Sequence, residues 1–517
     1  MKKIILTLLF ASFFGFCNGL LAQCQPPSSV ASTPNMIYYA GGSCMFYDSL
    51  CNLLLSVPAA EASWSCSPAT AKWVVVSPSN GGYYEFPNYS NNNPQINFDQ
   101  YMRPFWSADT IYNELIFLNG AGTTAKLMFT PTQILSVKNY NQTVTYTQGT
   151  DYTLNGSTLT QVNPAMSASV SLTVGSGLQN KQHTSWINVT YKPNRSGWAS
   201  SNNFSYRGTQ LPKTMAKLTS GQPVKMQAIG MSITAGLNVS GFAGDPNHFT
   251  PTFPYMHSYI DMLGQRLNQV FPGPITMYNS SCGGKMAAWV DTYCPALVNP
   301  NNPDLVFIDM GMNDIWGTSA VAFKNSIQSA MNKMKQHNPN VEFVLIGNML
   351  PDVTGMGAPA NGAVDMYGFR TQYLNMDTVG VVFFDMTSMS DSIYHRKGAY
   401  QCTANSLHPN DYLARWYAQG LFQMFYNPNV NGITGAMNLD AVTCYPNPSE
   451  GSLMVDLGVS PTAPIDVTVF NLAGQVVYEG KQFQQKQPYD FAKLPKGNYL
   501  MQFGKSSKHQ QVSFVIK

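Results

Sequence analysis

Pro223-Val-Lys-Met-Gln-Ala-Ile-Gly-Met-Ser-Ile-Thr-Ala-Gly236 is a short apolar run that ends in a serine with glycine on either side of it. Its first half, Val224–Ile229, is too short for a helix and lacks strict alternation, which suits a strand buried on both faces of a parallel sheet. The same rhythm continues downstream. Ile275–Tyr278, Leu305–Asp309, Phe343–Ile346 and Val381–Asp385 are further short apolar runs, and the helix-length stretches Tyr255–Val270, Ala320–His337, Tyr367–Met376 and Asp411–Tyr426 are interspersed with them. Strands alternating with helices predict a three-layer α/β/α sandwich with a parallel sheet over residues 221–428. Ligands bind such sheets at the carboxyl ends of the strands, so the turn around Ser232 falls where chemistry is expected.

The flanks read differently, and the chain is predicted to be multidomain. Lys2 and Lys3 followed by the apolar run Ile4–Phe16 and small residues near Gly19 and Ala22 have the layout of a signal peptide, residues 1–22. Residues 23–110 form a Cys/Asn-rich region in which short strands and loops are expected. Over residues 111–220, runs such as Lys126–Phe129, Gln142–Tyr146, Ala168–Val174 and Trp186–Tyr191 are separated by turn clusters, as in a β-sandwich-like module. Residues 436–517 return to this pattern with Leu453–Leu457, Ile465–Phe470, Gln475–Tyr478 and Asn498–Phe503, predicting a small C-terminal β-sandwich.

Composition narrows the function classes. Only 11% of the 517 residues are charged, and 29 Lys and Arg against 26 Asp and Glu give a net charge of +3 with no basic run, which argues against nucleic acid as a partner. No apolar stretch after the signal is long enough to span a bilayer. Removing Cys17 with the signal leaves eight of the nine cysteines, an even number suited to an oxidising compartment, with Cys44–Cys51 and Cys282–Cys294 as first candidates for pairing. No Cys-x-x-Cys or His-x₃-His spacing occurs, so neither a metal nor another cofactor is expected.

Four separated blocks carry the chemistry. Ser232 stands in the turn already described; Asn279-Ser-Ser-Cys-Gly-Gly284 follows the second strand, Asp309-Met-Gly-Met-Asn-Asp314 follows the third, and Ser406-Leu-His-Pro-Asn-Asp411 precedes the last helix. Taken singly, Ser232 is as well read as a helix cap, Gly284 as a turn glycine and Asn313 as a loop-capping amide. Together and in this order they resemble the SGNH (GDSL-like) hydrolase superfamily, a flavodoxin-like α/β/α fold, over about residues 223–427. The resemblance implies that Ser232 is the nucleophile and His408 the general base. It also implies that the N–H groups of Ser232 and Gly284 and the amide of Asn313 form the oxyanion hole, the equipment of acyl transfer.

Two positions depart from the family pattern. Met231 stands where the family has Asp before the serine, and Asn405 stands where it has the triad acid, three residues before the histidine. An amide carries no charge to stabilise an imidazolium, and turned the wrong way it favours the wrong tautomer. Three accounts stay open: a Ser232–His408 dyad oriented by Asn405 or a main-chain carbonyl, a carboxylate supplied from elsewhere with Asp385 and Asp391 as candidates, or a weakened or inactive enzyme. Trp289 and Trp316, with Tyr293 nearby, flank the second and third blocks and are candidate sugar-stacking groups at the rim, although core packing is the commoner fate of such rings.

In the tail, Tyr445-Pro-Asn-Pro-Ser-Glu-Gly451, Val467-Thr-Val-Phe-Asn-Leu-Ala-Gly474 and Leu494-Pro-Lys-Gly-Asn-Tyr-Leu500 resemble the C-terminal sorting domain of type IX secretion cargo. That resemblance implies the type IX machinery as a partner and a protein that is secreted or attached to the cell surface. The combined expectation is a secreted serine esterase that removes acyl groups, most plausibly acetyl, from carbohydrate. A lipase or small-ester hydrolase is the alternative within the same chemistry. An inactive surface glycan-binding protein is the alternative outside it.

Overall fold

A computed structural model describes the backbone of strands within residues 36–85 and residues 97–167, 185–199, 203–242, 253–353, 359–426, 442–457, 464–472, 474–503 and 510–517. The expected signal peptide, the run Ala168–Val174 and the side chains of Cys24, Cys44, Cys51 and Cys66 lie outside the described residues. The chain divides into two compact units. One comprises Met1–Lys217, Pro223–Gln265 and Ile275–Phe425, and the other Leu218–Gln222, Arg266–Pro274 and Tyr426–Lys517.

In the first unit, β1 (Met36–Tyr39), β2 (Ser43–Tyr47), β3 (Leu53–Val57), β4 (Trp64–Cys66), β5 (Trp73–Ser77) and β6 (Tyr83–Glu85) make two three-stranded antiparallel sheets, ordered β4-β1-β6 and β3-β2-β5. Next come β7 (Ile111–Phe117), β8 (Thr124–Lys126), β9 (Thr130–Asn139), β10 (Tyr152–Asn155), β11 (Thr158–Gln161) and β12 (Trp186–Asn194), in sheets ordered β7-β12-β9 and β10-β11-β8. Gln142–Tyr146, expected as a strand, runs back along β9 through a single antiparallel bridge, Lys138 to Thr145, with the Asn139 and Tyr146 N–H groups donating to the Val144 and Val137 carbonyls at 3.1 and 2.8 Å. The Val144 N–H turns to Asn139 Oδ1 at 2.9 Å, and this side-chain capture keeps the arm from extending into a regular strand.

The α/β region holds five parallel strands, β13 (Val224–Gly230), β14 (Ile275–Asn279), β15 (Leu305–Met310), β16 (Glu342–Gly347) and β17 (Val381–Asp385), in the order β14-β13-β15-β16-β17. Its helices are α1 (Pro212–Ser220), α2 (Ser232–Ala235), α3 (Tyr259–Val270), α4 (Ala287–Leu297), α5 (Ala320–His337), α6 (Gly362–Leu374), α7 (Met386–Lys397) and α8 (Asp411–Phe425). Every residue of β15 and β16 is buried, the signature read in their unbroken apolar runs. From β13 the chain steps outward to β14 and then back across to β15, so the strand order reverses at β13. The carboxyl ends of β13 and β15 therefore flank the crevice that this topology opens for a ligand.

The β7–β12 module is built into this region. Glu114 of β7 and Lys397 of α7 form a fully buried ion pair at 2.6 Å; Glu114 also accepts from Tyr191 Oη (2.6 Å) and the Met128 N–H (2.8 Å), and Lys397 donates to the Lys126 carbonyl (3.2 Å). The charges are matched and hydrogen-bonded, as a buried pair requires. Arg415 of α8 lies with its guanidinium 4.5 Å from the ring centres of both Tyr101 and Phe105 and donates to the carbonyls of Tyr101, Tyr112 and Asn113. Such contacts explain why all but one residue of α8 is buried.

The expected Cys282–Cys294 disulfide is absent. Both are separate buried thiols, as are Cys402 and Cys444. Cys294 lies inside α4, where its Sγ approaches the Ala330 carbonyl of α5 at 3.7 Å, so it packs as a small apolar side chain between helices. Among the described residues there is no disulfide.

The second unit carries β18 (Thr443–Tyr445), β19 (Ser452–Asp456), β20 (Ile465–Asn471), β21 (Val476–Gln482), β22 (Lys486–Asp490), β23 (Gly497–Phe503) and β24 (Gln510–Ile516). They form antiparallel sheets ordered β18-β19-β22 and β21-β20-β23-β24. Alternate residues of both sheets, among them Val455, Val469, Tyr489, Met501 and Phe514, meet in one apolar core. That is the period-2 burial expected of strands with one wet face.

Candidate active site

Ser232 is the first residue of α2, reached from β13 through Gly230 and Met231, and is 4% exposed. The turn is braced from below. Thr234 Oγ1 accepts the Met231 N–H (3.3 Å) and donates to Asp309 Oδ2 (2.7 Å), and Asp309 also accepts from Tyr259 Oη and Asn348 Nδ2, each at 2.6 Å. Burial pushes the Asp309 carboxyl up to about 6 against these three donors. Gly236 closes α2 with φ of 93°, a backbone state that glycine adopts without strain.

The other blocks are tied to this turn. The N–H groups of Ser280 and Cys282 donate to the carbonyls of Ala228 and Gly230 at 2.9 and 3.0 Å, carrying the second block along the end of β13. Gly284 takes φ of 74°, and a Cβ there would meet nothing within 4 Å, so its backbone borders open space. Asn313 donates through Nδ2 to the carbonyl of Lys285 (2.9 Å) and lies 3.7 Å from Met231 Sδ. The next residue, Asp314, accepts the Ala287 N–H through both carboxylate oxygens at 3.1 and 3.2 Å, clamping the third block to the start of α4. Burial raises its carboxyl to about 6. Among the described residues, no acceptor takes the N–H of Ser232 or of Gly284.

His408 arrives on the loop before α8, 7% exposed, with Nε2 2.8 Å from Ser232 Oγ. Nδ1 lies 3.0 Å from Nδ2 of Asn405, whose Oδ1 accepts the N–H groups of Leu407 and His408. The same Nδ2 also donates to Asn238 Oδ1 at 3.2 Å. Burial pushes the imidazole down from 6.5 to about 4. Asp411, three residues on, accepts the Ser240 N–H (2.8 Å) and Tyr140 Oη (3.3 Å), joining the His408 loop to the chain that leaves α2.

The structure thus brings Ser232, Gly284, Asn313, Asn405 and His408 to one edge of the sheet. It does not bring the two candidate carboxylates to the imidazole. Asp385 forks with Arg370 at 2.6–3.1 Å, caps α7 by accepting the Ser388 N–H, and lines a separate recess of about 280 Å³ with Phe204, Arg207 and Asp377. Asp391 accepts from Tyr367 Oη and pairs with His395. Each is engaged by its own partners, and among the described residues neither makes a contact with His408 that would support it as expected. Trp316 follows Asn313 directly after two residues and is 48% exposed, whereas Trp289 is half-buried against Tyr293 with Lys285 Nζ 5.9 Å from its ring. Sequence reasoning passed over Asp309, Asp314 and Asn238. The two aspartates bracket the third block, so a carboxylate at either end of a loop that must be held rigid was an available signal.

Residues 228–416 match the GDSL-like lipase/acylhydrolase family, and residues 443–517 match the secretion system C-terminal sorting domain. The chain contains a GDSL-like hydrolase domain. The β-rich tail is a type IX sorting domain and marks the protein as secreted or attached to the cell surface. The fold is similar to that of a two-domain esterase active on acetylated mannans, with 16% identity, coverage of 61% of this chain and 93% of the other, and a TM-score of 0.34. It is also similar to Axe2, an acetylxylan esterase from Geobacillus stearothermophilus, with 16% identity, 40% and 94% coverage and a TM-score of 0.31. No curated protein matches the chain. Among the described residues, no helix of the GDSL-like domain or its neighbours is long and apolar enough to cross a membrane, and no group of three His, Cys, Asp or Glu could hold a metal ion.

Proposed function

We propose that the GDSL-like domain hydrolyses small acyl esters, acetyl above all, on extracellular carbohydrate. The observation that carries this reading is the 2.8 Å approach of His408 Nε2 to Ser232 Oγ beside main-chain donors that have no acceptor among the described residues. In the reaction Ser232 is the nucleophile, His408 takes its proton, and the tetrahedral oxyanion is held by the N–H groups of Ser232 and Gly284 and the second amide hydrogen of Asn313. The recessed serine favours a short acyl group. Exposed Trp316 beside the third block offers a flat face to a sugar ring.

The full-length protein is assayed on 4-nitrophenyl esters of increasing chain length and on acetylated xylan and mannan. Acetate is expected to exceed palmitate in kcat/KM by about tenfold or more, since Ser232 is only 4% exposed and a small acyl group reaches it most readily. The reverse order would assign the domain to lipids.

A base works only when neutral, and burial holds His408 neutral down to about pH 4. The acid limb of kcat/KM set by this base is therefore expected near pH 4. A limb centred on 6.5, the value of a hydrated imidazole, would show that water reaches the ring.

A further inference from the structure

Asn405 stands where a carboxylate would orient the imidazole, and its own contacts decide which way it faces. Oδ1 accepts the main-chain N–H groups of Leu407 at 3.0 Å and His408 at 2.9 Å. Main-chain donors cannot reverse. Turning the amide over would set its NH₂ against both of them, so the backbone distinguishes oxygen from nitrogen here without appeal to their shape. Nδ2 must then face His408 Nδ1, at 3.0 Å. An amide NH₂ only donates, so Nδ1 is the lone-pair nitrogen of the neutral ring and the ring proton sits on Nε2, pointing at Ser232 Oγ.

We propose, building on the hydrolase reading above, that Asn405 is a positioning residue that holds His408 in the Nε2–H tautomer, so that the resting site presents donors only and prefers a small carboxylate to an ester. Ser232 Oγ accepts from Nε2–H and turns its own hydrogen outward. Beside it stand the N–H groups of Ser232 and Gly284 and the amide hydrogen of Asn313 not given to Lys285. A carboxylate has charge and lone pairs for several of these donors at once, and charge-assisted bonds are about twice as strong as those to a neutral carbonyl. For turnover one proton leaves Nε2 for water while water delivers one to Nδ1, with no net change. The new Nδ1–H then faces the Asn405 NH₂, donor against donor. Hydrolysis runs through a disfavoured tautomer, and the acid it releases is the ligand the resting site holds best.

The test compares the full-length protein with Asn405→Asp. The side-chain ¹⁵N resonances of His408, assigned by their loss in His408→Ala, report the tautomer; calorimetry reports acetate binding; and 4-nitrophenyl acetate reports turnover. The expected result is an Nε2–H ring in the natural protein and an Nδ1–H ring in Asn405→Asp. Acetate affinity should fall at least tenfold in the variant, because a lone pair on Nε2 and a new negative charge oppose the anion. Turnover should rise by on the order of 10³–10⁴-fold, the size of the loss when an acid-to-amide change imposes the wrong tautomer on a triad. An Nδ1–H ring in the natural protein overturns the proposal, whatever its turnover, and so does a measurable turnover of the natural protein that a folded Asn405→Asp leaves unchanged. If the variant does not fold, the tautomer and acetate affinity of the natural protein decide alone. An Nε2–H ring with acetate bound but no turnover in either protein upholds the proposal and removes the hydrolase reading instead.

Discussion

In the Asn405→Asp protein, exchanging Ser232 for alanine is expected to lower kcat on 4-nitrophenyl acetate by about 10⁵–10⁶-fold, whereas in the natural sequence the same exchange costs only about 10²-fold. The asymmetry follows from serine and imidazole acting as a unit. In a complete triad, losing the nucleophile costs roughly as much as losing all three members, on the order of 10⁶. An amide at the acid position forfeits on the order of 10⁴ of that by imposing the wrong tautomer, which leaves about 10² for Ser232 to contribute. What survives its removal comes from the oxyanion donors, which Ser232→Ala leaves in place because the residue's main-chain N–H remains. The kcat of the four proteins in this cycle decides the matter. An equal loss in both backgrounds would uncouple residue 405 from the imidazole, and no loss in Asn405→Asp would reject Ser232 as nucleophile.

The blocks that carry the chemistry were legible because each is a local string placed after a strand. Once β13 and β15 are parallel neighbours, the residues that follow them have nowhere else to go than the same edge. What could not be read is the direction of a single amide. Asn405 as a letter fits a supporting carbonyl or an obstructing NH₂ equally well, and only the main-chain N–H groups of Leu407 and His408 distinguish the two. The same holds for the candidate acids. Asp385 and Asp391 lie at a strand end and in the segment after it, as a triad acid could, but Arg370 and Tyr367 come from a different helix and claim them first.

Helices were missed where the sequence signal is weak for physical reasons. In α4, Pro295 lies inside an otherwise helical stretch and reads as a break. It is tolerated because the Asp291 carbonyl, which loses its i+4 N–H donor, accepts from Lys333 Nζ at 2.8 Å instead. Segment α7, Met-Thr-Ser-Met-Ser-Asp-Ser-Ile-Tyr-His-Arg-Lys, is rich in hydroxyl residues that disfavour helix interiors. Its start is bought by the Asp385 cap, and its end by Lys397, which reaches the buried Glu114. The Cys282–Cys294 expectation failed similarly, since closeness in sequence says nothing about a helix start intervening between the two thiols.

Asn313→Ala is expected to lower kcat on 4-nitrophenyl acetate by about 10²–10³-fold, with KM nearly unchanged, because one preorganised oxyanion donor is typically worth that much and acts mainly in the transition state. Asn313 is preorganised by contacts already in place. One amide hydrogen is held by the Lys285 carbonyl at 2.9 Å, and Asp314 next to it grips the Ala287 N–H, so the other hydrogen has only to exchange the weak acceptor Met231 Sδ, 3.7 Å away, for the oxyanion. Truncation removes the hydrogen bond to Lys285, worth about 1 kcal/mol net, and the weaker one to Met231 Sδ, and leaves the Asp314 clamp intact. The melting temperature should therefore shift by only a few degrees while turnover collapses. The same variant should weaken acetate binding, since the donor that stabilises an oxyanion in the reaction also serves a carboxylate at rest. A large drop in melting temperature with proportionate loss of activity would make Asn313 a loop brace. Turnover that stays within about threefold of the natural protein, well short of the value of one donor, would remove it from the oxyanion hole.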